Sequence, residues 1–105
     1  DIGLPTGTKD QVYLDTLSQT LDSIQSSLTP DLILFDAGID VYTNDGLGNL
    51  ELSIEGIRKR DQLVFEHFRG RGIPVATVIG GGYSQDRQEL ASRHGLIFES
   101  AINYL

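Results

Sequence analysis

The chain has 105 residues and a formal charge of −7, from 8 basic and 15 acidic side chains, with no cysteine and no methionine. A field of that sign repels phosphate backbones and argues against nucleic-acid binding, and without cysteine there are neither disulfides nor thiolate metal sites, which leaves the redox compartment open. With 39% hydrophobic and 22% charged residues, and no apolar run near the ~18 residues of a membrane span, the composition fits one small soluble domain, expected in the cytoplasm and without a membrane partner.

Asp1-Ile2-Gly3-Leu4-Pro5 reads as the tail of a strand running into a loop. A start inside an element, without methionine at position 1, points to a segment of something longer. Pro5 to Thr8 is turn chemistry, and Asp10 is placed to cap the helix that follows. From Gln11 the apolar residues fall at Leu14, Leu17, Leu21, Ile24 and Leu28, in steps of three and four, which predicts an amphipathic helix. Pro30 ends it, because a proline pushes the preceding Thr29 out of the helical region.

Leu32-Ile33-Leu34-Phe35 is a continuous apolar run, the pattern of a strand buried on both faces of a parallel sheet. A long loop from Ala37 to Leu52 follows, more than the usual length of about 2–6 residues and so a candidate for function. Ser53 reads as the N-cap of a second helix, with Glu55 in its first turn and Ile54, Ile57, Val64 and Phe68 on one face. Arg58-Lys59-Arg60 reads as its solvated side, His67 as part of its outer face, and Gly70 and Gly72 as its end. Ile73 to Ile79 is the second strand, Gly80-Gly81-Gly82 a turn, and Gln85 to Tyr104 a third helix. Its inward face is read as Leu90, His94, Ile97, Phe98, Ala101 and Leu105. The alternation is that of an α/β domain.

If the two strands are parallel, the loops after them open on one edge, where ligands of open α/β sheets bind. That edge would carry Asp36, Asp40 and Tyr83. Carboxylates there suit a cation or acid–base work, or they organise their own turns. An aspartate at a strand end would also suit a phospho-acceptor, but the earlier acidic pair and later lysine of a receiver domain are missing. The glycine turn lacks both the G-x-G-x-x-G spacing and the Lys-Ser/Thr of a phosphate loop. The Tyr83 phenol could donate to a developing oxyanion.

Taken together, Gly38-Ile39-Asp40, Asp45-x-Leu47-Gly48, Leu52-Ser53, Glu55-Gly56, Lys59-Arg60-Asp61 and Gly80-Gly81-Gly82-Tyr83 resemble the C-terminal part of the histone deacetylase superfamily, in its bacterial and class IV-type members. The match runs back to Leu4-Pro5-x-Gly7 and Tyr13 and forward through His94, so residues 1–105 are read as a single C-terminal segment of a deacetylase-like catalytic domain. The resemblance implies a partial arginase-like α/β/α fold, three layers around a parallel sheet, and a zinc-dependent hydrolase of acyl-lysine or other acylated amines. It matches Asp40 to the last of three zinc ligands and Tyr83 to the tyrosine that hydrogen-bonds the substrate carbonyl. It matches Gly81 and Gly82 to the backbone beside the acyl channel, Leu47 to an apolar wall of that channel, and Asp45 to a supporting aspartate. Asp36 falls where the family varies.

The family's Asp-x-His pair and tandem histidines have no counterpart here; the only histidines are His67 and His94, both expected on helices away from the crevice. The expectation is therefore that these residues alone hold no zinc and are inactive. A rival reading is a non-catalytic α/β binding or regulatory domain. A segment of such a fold would leave sheet edges open, and a homodimer or higher assembly covering them is expected.

Overall fold

The three-and-four spacing becomes helix α1, Asp10–Ser27, in a computed structural model that describes residues 1–105. Leu28 falls outside it: its backbone is extended, at φ −135° and ψ 146°, two residues before Pro30. Asp10 does not cap this helix. Lys9 occupies the N-cap position without a side-chain bond, and the Asp10 carboxylate instead accepts the backbone N–H of Ser53 at 2.8 Å and the Ser53 hydroxyl. One carboxylate thus ties the start of α1 to the start of the next helix.

Strand β1 is Ile33–Asp36, helix α2 Ile54–Arg69, strand β2 Val75–Val78 and helix α3 Arg87–Ile102. Ser53 does cap α2, accepting the Gly56 N–H at 2.9 Å. Past its end, Ile73 donates to the Phe68 carbonyl, so Ile73 finishes the helix rather than opening the strand. Asp86 caps α3 by accepting from Gln88 and Glu89, which starts that helix later than its apolar pattern suggests. Residues 1–5, read as the tail of a strand, form no strand.

The two strands pair in parallel, Ile33 opposite Val75 and Asp36 opposite Val78, so the α/β class and the parallel sheet are as read. Alternation puts Ile33, Phe35 and Val75 on one face, and residues of all three helices pack there: Leu17 and Leu21 from α1, Val64, Phe65 and Phe68 from α2, Ile97 and Ala101 from α3. Phe65 is central, edge-on to Phe35 and stacked on Tyr104. The other face is bare, with Leu34 80% and Val78 61% exposed. The strand expected to be buried twice is therefore covered once. This chain supplies the sheet and one helical layer of the expected three.

The inward face of α3 differs from the reading. Phe98 and Leu105 are exposed, while Arg93, Leu96, Ile97 and Ser100 are buried. Two of those four are polar, and an apolar count cannot see them. No helix is long and apolar enough to cross a membrane.

Candidate functional site

Because β1 and β2 run parallel, their carboxyl ends reach the same edge, and the loops beyond them are stitched together there. Ala37 donates its N–H to the Val78 carbonyl at 2.9 Å, and Ile39 donates to Gly81 at 2.7 Å. The stitch sets the Asp40 carboxylate against the glycine turn: a Cβ on Gly81 would lie 2.8 Å from Asp40 Oδ2. Gly82 has φ +151°, and a Cβ there would press within 2.5 Å of the Ile39 side chain. Both positions admit only glycine without a shift of their neighbours.

The aspartates divide into two kinds. Asp36 accepts the Gly38 N–H at 3.1 Å and shapes its own turn. Asp45 is buried and accepts three backbone N–H groups: Leu47 and Gly48 on one oxygen at 2.9 Å each, and Tyr83 on the other at 2.6 Å. Burial pushes the Asp45 carboxyl up, but the bonds from Tyr83, Leu47 and Gly48, with the nearby Arg93 charge, outweigh it and hold the group below the usual carboxylate range. Asp40 makes no such bond and is exposed, as are Leu47 and Tyr83, so these three side chains front the open edge.

Beneath this edge lies a pair whose arginine the sequence reading placed in solvent. Arg60 is 3% exposed and Asp61 fully buried. The Arg60 guanidinium pairs with Asp61 Oδ1 at 2.8 Å and donates to the successive carbonyls of Ala37 and Gly38. It thereby grips the backbone two and three residues before Asp40. Burial pushes the Asp61 carboxyl up while Arg60 pulls it down, and the first effect wins. The Asp61 Oδ2 oxygen is buried without a partner. A signal was present: Ile57, Arg60, Val64 and Phe68 step by three and four, which puts Arg60 on the buried stripe. Only Arg58 and Lys59 of that basic run reach outward, Arg58 to Glu99 and Lys59 to Glu55.

Arg93 was missed altogether. It is 2% exposed, donates to the Tyr83 carbonyl at 3.3 Å and lies over the Tyr42 ring. His94 lies nearer the crevice than its helix suggested: Nε2 comes 3.6 Å from where a Gly82 Cβ would stand, and Nδ1 is buried and unpartnered. His67 is not on an outer face; its side chain is 11% exposed, edge-on to Phe68, and burial lowers its pKa. No group of three His, Cys, Asp or Glu side chains converges to hold a metal ion.

Comparison with known proteins agrees with this fold. Residues 1–96 match the model of the histone deacetylase domain. An uncharacterised protein of Picosynechococcus sp. is 41% identical over 101 residues, covering 96% of this chain and 34% of that protein. Histone deacetylase 2 of Arabidopsis thaliana is 35% identical over 99 residues, covering 88% of this chain and 26% of its own length. A crystal structure of a histone deacetylase homologue, solved in complex with SAHA, superposes with a TM-score of 0.74 at 27% identity, covering 96% of this chain and 26% of that one. The chain thus spans about a third or less of the proteins it matches.

Replacing Arg60 by methionine keeps the bulk and strands Asp61. The variant should lose about 3–5 kcal/mol of stability in urea unfolding, the usual cost of breaking a buried pair from one side. The loss should grow as pH rises past the raised pKa of the wild-type Asp61 carboxyl, because that group then ionises beside Arg60 while the stranded one still resists ionisation. A loss under about 1 kcal/mol, flat with pH, is what an exposed pair would give, and it would contradict the buried placement.

Proposed function

The chain belongs to the histone deacetylase family, and on that premise we propose that it supplies one wall of the catalytic crevice of a zinc-dependent amidohydrolase acting on acyl-lysine or other acylated amines. The observation that carries this reading is the stitched pair of loops, which presents Asp40 and Tyr83 together at the carboxyl edge of the sheet. Asp45 and Asp36 are committed to backbone N–H groups, whereas the Asp40 carboxylate is left for a ligand.

On this reading the chain offers one ligand, Asp40, fewer than the three protein ligands that catalytic zinc keeps. Asp40 would be one ligand of a set completed by residues that longer family members carry. Zinc, when bound, would supply an acidified water and a polarised carbonyl. The chain's own contribution is then positional. Tyr83 would donate a hydrogen bond from its phenol to the carbonyl oxygen as negative charge builds there. Leu47, 76% exposed, gives an apolar wall to the acyl chain, and the backbone of Gly81 and Gly82 lets that chain pass close. Net negative charge favours a cationic substrate without choosing one.

For assembly, the proposal is that the bare strip of Leu34 and Val78 draws two copies of the isolated chain together. Sedimentation of these residues at ~0.1 mM, where contacts of modest affinity are populated, should show a dimer or larger species, and a clean monomer contradicts it.

The catalytic reading is tested in a chain of full family length carrying this segment. Tyr83→Phe should lower kcat on an acetyl-lysine peptide by about 10²–10³, as loss of an oxyanion donor does, with KM little changed. Wild-type kcat in that variant would leave the rival, a non-catalytic role for this edge, in its place.

A further inference from the structure

We propose that Arg93 is a positioning residue for Tyr83, and that Arg93 and Asp45 together hold the tyrosine's backbone from both sides so that its phenol points into the crevice. The inference rests on the reading of Tyr83 as the carbonyl-binding phenol.

Tyr83 needs such a hold. It follows three consecutive glycines, the least restrictive backbone available. Tyr83 is 48% exposed, and a Cβ added at Gly46 would meet its ring in ordinary contact at 3.6 Å. With nearly half of the residue in solvent, side-chain packing orients it only in part. The backbone on either side is fixed instead: the N–H goes to Asp45 Oδ2 at 2.6 Å, and the carbonyl receives Arg93 Nη2 at 3.3 Å. The two holds come from different elements, the loop after β1 and helix α3, so neither follows from the other.

Arg93 is not what simple packing would select. It is 2% exposed, and its Nε and Nη1 are buried without hydrogen-bond partners. Stranding donors of a charged group in the interior is unfavourable. A methionine would fill similar space without that penalty. What the guanidinium adds is a charged donor that reaches the Tyr83 carbonyl while its plane rests over the Tyr42 ring, 4.6 Å from the centroid. Tyr42 is itself held by a parallel bridge to Leu52, so the donor is anchored at its base.

The test uses a chain of full family length that hydrolyses an acetyl-lysine peptide. Four variants are compared with wild type: Tyr83→Phe, Arg93→Gln, Arg93→Lys and the Tyr83→Phe/Arg93→Gln double variant. Arg93→Gln should lower kcat about 10- to 100-fold, the scale of a small misplacement of a reacting group, with KM nearly unchanged. Arg93→Lys, which keeps a charge and a donor, should recover most of that loss. In the Tyr83→Phe background Arg93→Gln should have almost no further effect, because the phenol it positions is gone. Full multiplication of the two losses would overturn the inference, as would wild-type kcat in Arg93→Gln beside a slow Tyr83→Phe. A Tyr83→Phe variant as fast as wild type overturns the reading of Tyr83 and this inference with it. If Arg93→Gln does not fold, Arg93→Lys decides alone: kcat reduced several-fold at unchanged KM and melting temperature supports the role, and a parallel fall in kcat and melting temperature contradicts it.

Discussion

The buried pair of Arg60 and Asp61 is the constraint on which the site depends. Two charges stand inside a small domain, one of them fully excluded from water. Their pairing alone is weak evidence of stabilisation, because desolvation consumes much of the attraction. What the pair does is geometric. A helix is rigid, and a guanidinium carries several donors in a fixed fork. By giving those donors to the carbonyls of Ala37 and Gly38, helix α2 clamps the backbone at the point where β1 becomes the loop.

From that clamp the rest follows in a chain of short contacts. With residues 37 and 38 fixed, Ile39 is aimed at the glycine turn and bonds Gly81, so the two loops become one surface. The turn must then be glycine where Asp40 and Ile39 come close. Further along, Asp45 spans the same two loops through the Tyr83 N–H. The surface formed by the two loops is therefore set by polar contacts to backbone, and the apolar core below supplies the rigid base. Opposite this layer lies bare sheet, the place where longer family members would add their remaining layer.

The elements were legible because their signals are local. Three-and-four spacing, Ser53 as a cap and a short apolar run before a glycine turn each act within a few residues. The pairing of loops was legible through one rule about parallel strands, which brings Asp40 and Tyr83 to one edge. Arg60 and Arg93 were not read, although both sit on helical stripes that also carry Ile57 and Val64, or Leu96 and Ile97. Arg60 was taken for surface and Arg93 passed over, because their partners are distant in sequence: carbonyls 22 and 23 residues away for Arg60, and 10 for Arg93. Asp10 was misread for the same reason, its partner Ser53 being 43 residues on. The exposed face of β1 could not be read from its own run, since burial there depends on a layer the chain does not contain.

The central claim is that Asp40 stands on one wall of a zinc site completed elsewhere in the fold. Zinc titration by calorimetry tests it most directly, on the 105-residue chain and on a full family-length chain with and without Asp40→Asn. The account predicts no tight binding by the short chain and tight binding by the long one. It also predicts a weakening by Asp40→Asn of more than about 100-fold, beyond the 10–100-fold typical of changes outside the ligand shell. Tight binding at one site in the short chain, or an affinity of the long chain untouched by Asp40→Asn, would contradict it.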